Sequence, residues 1–279
     1  MNFFQRLLRH KIAMLCLLGI GFYVLVAILS KCGVLAQNWG QSVGGEYLPP
    51  NFSGDFALWF GTDIFGRSIL YKTIHGAEIA LTVGFIAACI AVPVGVVLGS
   101  VAGYFGGWID EAIVWLYSVL SSVPSIMLLI ALTYVLGKGF SAVVVALTVT
   151  SWIGTARIFR GEFIKHKNRE YVLAAQTVGA SQFSRIFKHI LPNLSHFAIL
   201  NFSLQFMSAI KAEVILSFLG IGIQGEASWG TMIDDAKLEL SRGAWWQLAA
   251  ATLALYGIVL MLNVLGDMLR DLLDPKWQA

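Results

Sequence analysis

Charge is scarce in this chain. Only 13% of its 279 residues are Asp, Glu, Lys or Arg, against about 25% in soluble domains. Hydrophobic residues make up 57% and the mean hydropathy is +0.75, which excludes a water-soluble globule and leaves an integral membrane protein. Cysteine is nearly absent. Cys16, Cys32 and Cys89 show no Cys-x-x-Cys or Cys/His spacing, so neither a disulfide framework nor a zinc site is expected. Cys16 and Cys89 fall in apolar runs, where a thiol is a small filler, and Cys32 lies just beyond the first run. There is no G-x-x-x-x-G-K-[ST] phosphate loop and no H-E-x-x-H, so neither ATP nor a catalytic metal is expected on this chain. His10, His75, His166, His189 and His196 are scattered. The net charge of +3 is too small to suggest nucleic-acid binding.

The charge that is present is concentrated. Residues 157–193 carry Arg157, Arg160, Lys165, Lys167, Arg169, Arg185 and Lys188, opposed only by Glu162 and Glu170. A basic loop between apolar runs marks the cytoplasmic side of a membrane protein. Within it Asn168 can cap a helix whose first turn holds Glu170, Gly179 can end that helix, and Ser181 can cap a second one reaching about Ile190. Pro192 is expected to interrupt it. The outcome is a helix–Gly–helix hairpin with a small-residue surface, suited to docking on another protein.

Six apolar spans are expected: residues 12–30, 80–103, 112–136 (broken near Pro124), 140–156, 194–218 and 245–266. The first resembles a signal peptide in layout, but it is longer than the usual apolar core and lacks a small-residue cleavage site. Gly95, Gly99 and Gly103 put small residues on one face of the second span, a signature of close helix packing, and Pro93 is a candidate kink. Residues 103–111 read as a short turn, and Gly137-Lys138-Gly139 as another. Trp245 and Trp246 suit an aromatic belt at the start of the sixth span. With both termini inside, twelve of the nineteen basic residues, including Arg6, Arg9, Lys11, Arg270 and Lys276, fall on the cytoplasmic side. Residues 31–76, with Pro49-Pro50, form the long polar excursion outside. There Asp63 and Arg67 are spaced to meet on a helix. The plain reading is an exposed turn with a surface ion pair, and the sharper one is a role in receiving substrate or the binding protein. In the fifth span Asn201, Gln205, Ser208, Lys211 and Glu213 are candidates for a translocation path. Alternatively Lys211 and Glu213 snorkel to an interface.

Ala174-Ala175, Gly179 and Ile190-Leu191-Pro192 resemble the EAA loop of bacterial ABC-importer permeases. The dipeptide/oligopeptide/nickel branch, second ("C-type") subunit, is the nearest pattern. Gly61-Thr62-Asp63 with Gly66-Arg67, the Leu216–Gly230 segment and the C-terminal Leu-Gly-Asp, Leu-Arg-Asp and Leu-Asp-Pro series fall in the family's order. The resemblance implies an all-α membrane protein, a six-helix type I ABC-importer-like permease bundle in the bacterial cytoplasmic membrane. Residues 77–279 would form the permease domain, and residues 1–76 the first helix and external loop. Glu170, Tyr171, Leu173, Ala174, Ala175, Gly179, Ala180 and Ser181 would couple the chain to an ATP-hydrolysing subunit.

Leu173 stands where the family usually has Glu, Ser68 where Asp is common, and Trp115 and Ser118 where many members carry Arg and Asp. The implied partners are a second permease, two ATP-binding subunits or domains carrying ATP and Mg, a solute-binding protein outside, and membrane lipid. The implied cargo is a di- or oligopeptide, with nickel or another small solute as the alternative. A different class, an intramembrane enzyme, would have to draw on Lys211 with Glu213 or on serines near His196. No nucleophile–base spacing supports it.

Overall fold

The computed structural model describes residues 10–273. Arg6, Arg9 and the last residues of the C-terminal pattern, with Lys276, lie outside them. Among the described residues there is no strand. Five helices are long and apolar enough to cross a membrane, or six if one bent pair is a single span. The chain divides into two compact units. One comprises Ile86–Leu132 and Val144–Phe206, and the other comprises the described remainder.

In the latter unit, α1 (Lys11–Lys31) is apolar on every face, as a membrane helix must be. Ala13 and Cys16 form a narrow buried seam with Leu265 of α9 (Trp246–Leu273). α9 runs past the expected end at Gly266 because Met268, Leu269 and Leu272 continue that seam. α2 (Ile69–Phe105) starts at Ile69, not near residue 80. Lys72 and His75 made its first two turns look like loop. At 37 residues it is about 55 Å long, well beyond the roughly 30 Å hydrocarbon layer, so its first turns can serve the polar excursion. α8 (Trp229–Leu240) is a further helix that the Gly-rich sequence around it concealed. Ser228 and Thr231 close a reciprocal capping box at its start.

In the unit built from residues 86–132 and 144–206, the glycine face of α2 meets α5 (Phe140–His166). A Cβ at Gly95 would sit 2.6 Å from the Trp152 carbonyl oxygen, and one at Gly103 would sit 2.5 Å from that of Arg160. Gly99 faces Ala156 in the same way. The two backbones are therefore in contact, which only glycine permits. Pro93 lies inside an unbroken helix. The expected turn at residues 103–111 shrinks to Gly106, with φ of 68°. α3 (Gly107–Ser121) follows at once, and α4 (Ser125–Leu136) departs from it at 85° just after Pro124.

α5 extends ten residues beyond the expected end at Ala156. Two arginines assigned to the loop are therefore helix residues, and both bind α3. Arg160 forks onto Asp110, with Nε–Oδ1 at 2.5 Å and Nη2–Oδ2 at 2.7 Å. Arg157 donates to Ser121 Oγ at 2.8 Å and covers the Tyr117 ring. A bidentate pair fixes orientation as well as distance.

Candidate functional site

The hairpin after α5 begins with α6 (Glu170–Thr177). Its N-cap is Arg169, not Asn168, and no side chain closes the first turn. Its C-terminus follows the expected logic. Gly179 has φ of +82°, its N–H donates to Gln176 O at 3.0 Å, and the Ala180 N–H donates to Ala175 O at 3.0 Å. This pair of bonds is a Schellman cap, which needs a residue free to take positive φ. Ser181 then caps the next helix, its Oγ accepting from the Ser184 N–H at 3.2 Å.

That helix is α7 (Gln182–Phe218). Pro192 does not break it. The hydrogen-bond pattern widens to a π turn over Arg185–Ile190 and tightens to a 3₁₀ turn over Leu191–Leu194, and α-helix resumes at Ser195. Switching pattern around the missing N–H of proline lets the chain stay helical.

The hairpin has two faces. Val172, Ile186, Ile190 and Leu194 pack on Phe159 and Phe163 of α5. Ala175 is also buried, so one of the paired alanines holds the hairpin to its own unit. Glu170, Tyr171, Leu173, Ala174, Gly179 and Ser181 face outward, and Ala180 is half-buried. Around them stand Val178 and Phe183, 84% and 68% exposed. The Phe183 and Phe187 rings lie against each other at a tilt, with centroids 4.4 Å apart. Exposed apolar side chains thus gather on the outward face of the hairpin. A Cβ at Gly179 would meet nothing within 4 Å. His166 Nδ1 and the Tyr171 hydroxyl lie 2.8 Å apart, and Arg185 donates to Gln176 at 2.6 Å.

The Gly61–Ser68 segment is a different object from the one expected. Asp63 and Arg67 meet, with Oδ2–Nε at 2.7 Å, but on a tight turn through Gly66 at φ of +72° rather than a helix. Asp63 is not exposed at all, which corrects the reading of a surface ion pair. Its carboxylate is fully used. Oδ1 accepts from the Phe65 and Arg67 N–H groups, each at 2.9 Å, and Oδ2 accepts from Arg67 Nε and Lys72 Nζ. Lys72 spends its three N–H donors on Asp63 at 3.0 Å, Asp235 at 3.3 Å and Gln247 at 2.9 Å. Thr62 Oγ1 donates to Gly45 O and accepts from the Leu48 N–H. A Cβ at Gly61 would sit 2.5 Å from Leu48 O. The motif pins the polar excursion to the start of α2 and to α8 and α9.

Glu239, on α8, is 2% exposed, and neither of its oxygens has a partner among the described residues. Burial pushes its carboxyl above the ordinary carboxylate range, against the pull of nearby Lys72. Burial also acts upward on Asp63, but Lys72 and the Arg67 N–H outweigh it and hold Asp63 below its ordinary value. The signs are opposite. Relative to the unfolded chain, folding favours the protonated form of Glu239, so its contribution declines as pH rises from the ordinary carboxylate value through the raised one. Asp63 contributes above the ordinary value and is lost as pH falls. Glu239→Gln should therefore remove the fall in melting temperature that begins as pH rises past the ordinary carboxylate value, and leave the loss caused by protonating Asp63 at lower pH in place.

The five path candidates diverge. Asn201 Nδ2 donates to Phe197 O of its own helix, and Gln205 Nε2 donates to Ser151 O at 2.5 Å. Ser208 and Lys211 are exposed, whereas Glu213 is buried and accepts from Ser217 Oγ at 2.7 Å. The structure thus separates Lys211 from Glu213, and His196 lies against the Phe197 ring. Among the described residues no three His, Cys, Asp or Glu side chains could hold a metal ion. Sequence reasoning passed over Lys72, Asp235, Glu239 and Gln247. Only Lys72, a cation at the edge of an apolar run, carried a signal.

Residues 95–279 match the family described as binding-protein-dependent transport system inner membrane component. The chain belongs to that family. It is therefore the membrane-spanning permease component of an ABC importer, a subunit that does not itself hydrolyse ATP. It is 42% identical to the dipeptide transport system permease protein DppC of Bacillus subtilis, over 98% of this chain and 84% of that protein. It is 38% identical to the oligopeptide transport system permease protein OppC of the same organism, over 96% and 86%. It is 33% identical to the glutathione transport system permease protein GsiD of Pectobacterium atrosepticum, over 100% and 91%. A solved inward-facing MetNI methionine ABC transporter shares the fold, with a TM-score of 0.52 at 17% identity, over 73% of this chain and 94% of that one.

Proposed function

We propose that the chain forms one half of the membrane pathway of an importer for short peptides, beside a second permease. The observation that carries the cargo is the shared chemistry in the names of its relatives: dipeptide, oligopeptide and glutathione, the last itself a tripeptide. The hairpin of α6 and the start of α7 seats on an ATP-hydrolysing subunit that carries ATP and Mg. Its outward Leu173, Val178 and Phe183 make the contact, and Glu170 lies beside them. Closure of that subunit on ATP moves the hairpin, and the continuous helix Gln182–Phe218 carries the motion into the membrane. A binding protein outside delivers the peptide.

Both termini and the hairpin lie in the cytoplasm and residues 32–68 outside, as the basic-residue bias supports. Two measurements test this. Cells in which this chain is the only permease of its kind should take up a labelled dipeptide and lose uptake on its deletion, and excess nickel should not compete. With Cys16, Cys32 and Cys89 replaced, an impermeant thiol reagent should label a cysteine at Asn38 but not one at Asn168. Nickel-competed uptake would replace the cargo, and outside labelling at 168 would reverse the topology.

A further inference from the structure

An apolar cavity of about 760 Å³ opens between α1, residues 50–60 and the starts of α2, α8 and α9. Its floor is Leu70, Ala77 and Trp229, all buried, and Phe22, Phe56 and Leu253 stand exposed at its rim. The polar atoms its walls could offer are already committed. The Tyr23 hydroxyl donates to Ala254 O at 2.9 Å, Trp229 Nε1 to Thr73 O at 3.0 Å and Trp246 Nε1 to Thr62 O at 3.0 Å. The Thr73 hydroxyl donates to Ile69 O at 2.7 Å. A polar ligand would lose its hydration there without replacement, so the occupant must be hydrocarbon.

The cavity lies at a membrane boundary. α1 and α9 are apolar membrane helices, and Trp245 and Trp246 stand at the first turn of α9, where aromatic side chains mark the headgroup level. One cation is placed to complete the ligand. Lys31 is exposed in the last turn of α1, between the lining residues Val26 and Leu35, and has no ion pair among the described residues. The charge, at the end of the helix whose Phe22, Tyr23 and Val26 line the apolar space, suits an anionic phosphate. We infer that this cavity binds one acyl chain of a membrane phospholipid whose phosphate is held by Lys31. The bound chain fills space that the protein's own side chains leave open between α1 and α9.

The test uses the assembled transporter in nanodiscs of phosphatidylethanolamine and phosphatidylglycerol carrying a photoreactive group at the acyl chain end. On illumination, peptides containing Trp229 and Trp245–Trp246 should be labelled. Ala250→Trp, which fills the cavity, should reduce that labelling severalfold and leave labelling at the exposed Leu15 and Leu18 of α1 unchanged. Lys31→Glu should lower the share of phosphatidylglycerol among the trapped lipids. A photoreactive amino acid at Leu253 in an otherwise unchanged chain needs no altered fold and should trap lipid. Undiminished labelling in Ala250→Trp, or trapping of the partner permease from Leu253 in place of lipid, would overturn the proposal.

Discussion

Lys72→Met should cost the folded protein about 3–5 kcal/mol, because it leaves the buried carboxylate of Asp63 short of its internal counter-charge. Lys72 is almost fully buried, and Asp63, Asp235 and Gln247 accept from its ammonium. Removing it leaves Asp63 with Arg67, which is partly in water, and strands the buried Gln247 oxygen. The loss should appear as a lower melting temperature in detergent and less protein in the membrane. The double variant Asp63→Asn/Lys72→Met discriminates. If the single variant fails through an uncompensated charge, neutralising Asp63 as well should recover much of the loss. If Lys72 matters only as packing, the double variant should be no better than the single. Asp63→Ala should fail in stability together with uptake. Reduced uptake with unchanged stability would favour a part for Asp63 in receiving substrate or the binding protein.

That network shows what the sequence could and could not disclose. Spans, order and motif identity were legible because each rests on local chemistry: apolar runs, a basic loop and glycines four apart. The Gly179 cap was legible for the same reason, since a Schellman turn is written within six residues. Boundaries were misread wherever a polar residue serves a distant partner. Lys72 made the start of α2 look like loop because its partners lie nine, 163 and 175 residues away. Arg157 and Arg160 were counted as loop charge although Ser121 and Asp110 hold them on α5. Asp63 and Arg67 met as their spacing suggested, but four residues can be bridged by a turn as well as by a helix. Pro192 was read as a break because proline forbids one hydrogen-bond pattern, and the chain switched to others.

Gly179→Leu should abolish most transport while leaving the permease inserted and folded. A Cβ at 179 meets no neighbour within 4 Å and the position is exposed, so added bulk there projects from the hairpin toward a partner. The backbone penalty is separate. A non-glycine residue at φ of +82° costs about 1–2 kcal/mol, on a surface turn that the buried Val172, Ile186 and Ile190 still hold. Gly179→Asn separates the two effects, because asparagine tolerates the left-handed region with a smaller side chain. If docking bulk decides, Asn should retain substantial uptake and Leu should not. A loss of about 2 kcal/mol at a central contact means roughly thirtyfold weaker docking. Co-purification of the ATP-hydrolysing subunit should fall with it. Glu170→Ala should harm co-purification more than Leu173→Ala if the acidic contact has moved one turn back along α6, and less if Leu173 supplies an apolar contact in its place. Full uptake by Gly179→Leu with the ATP-hydrolysing subunit still bound would remove this hairpin from the coupling path.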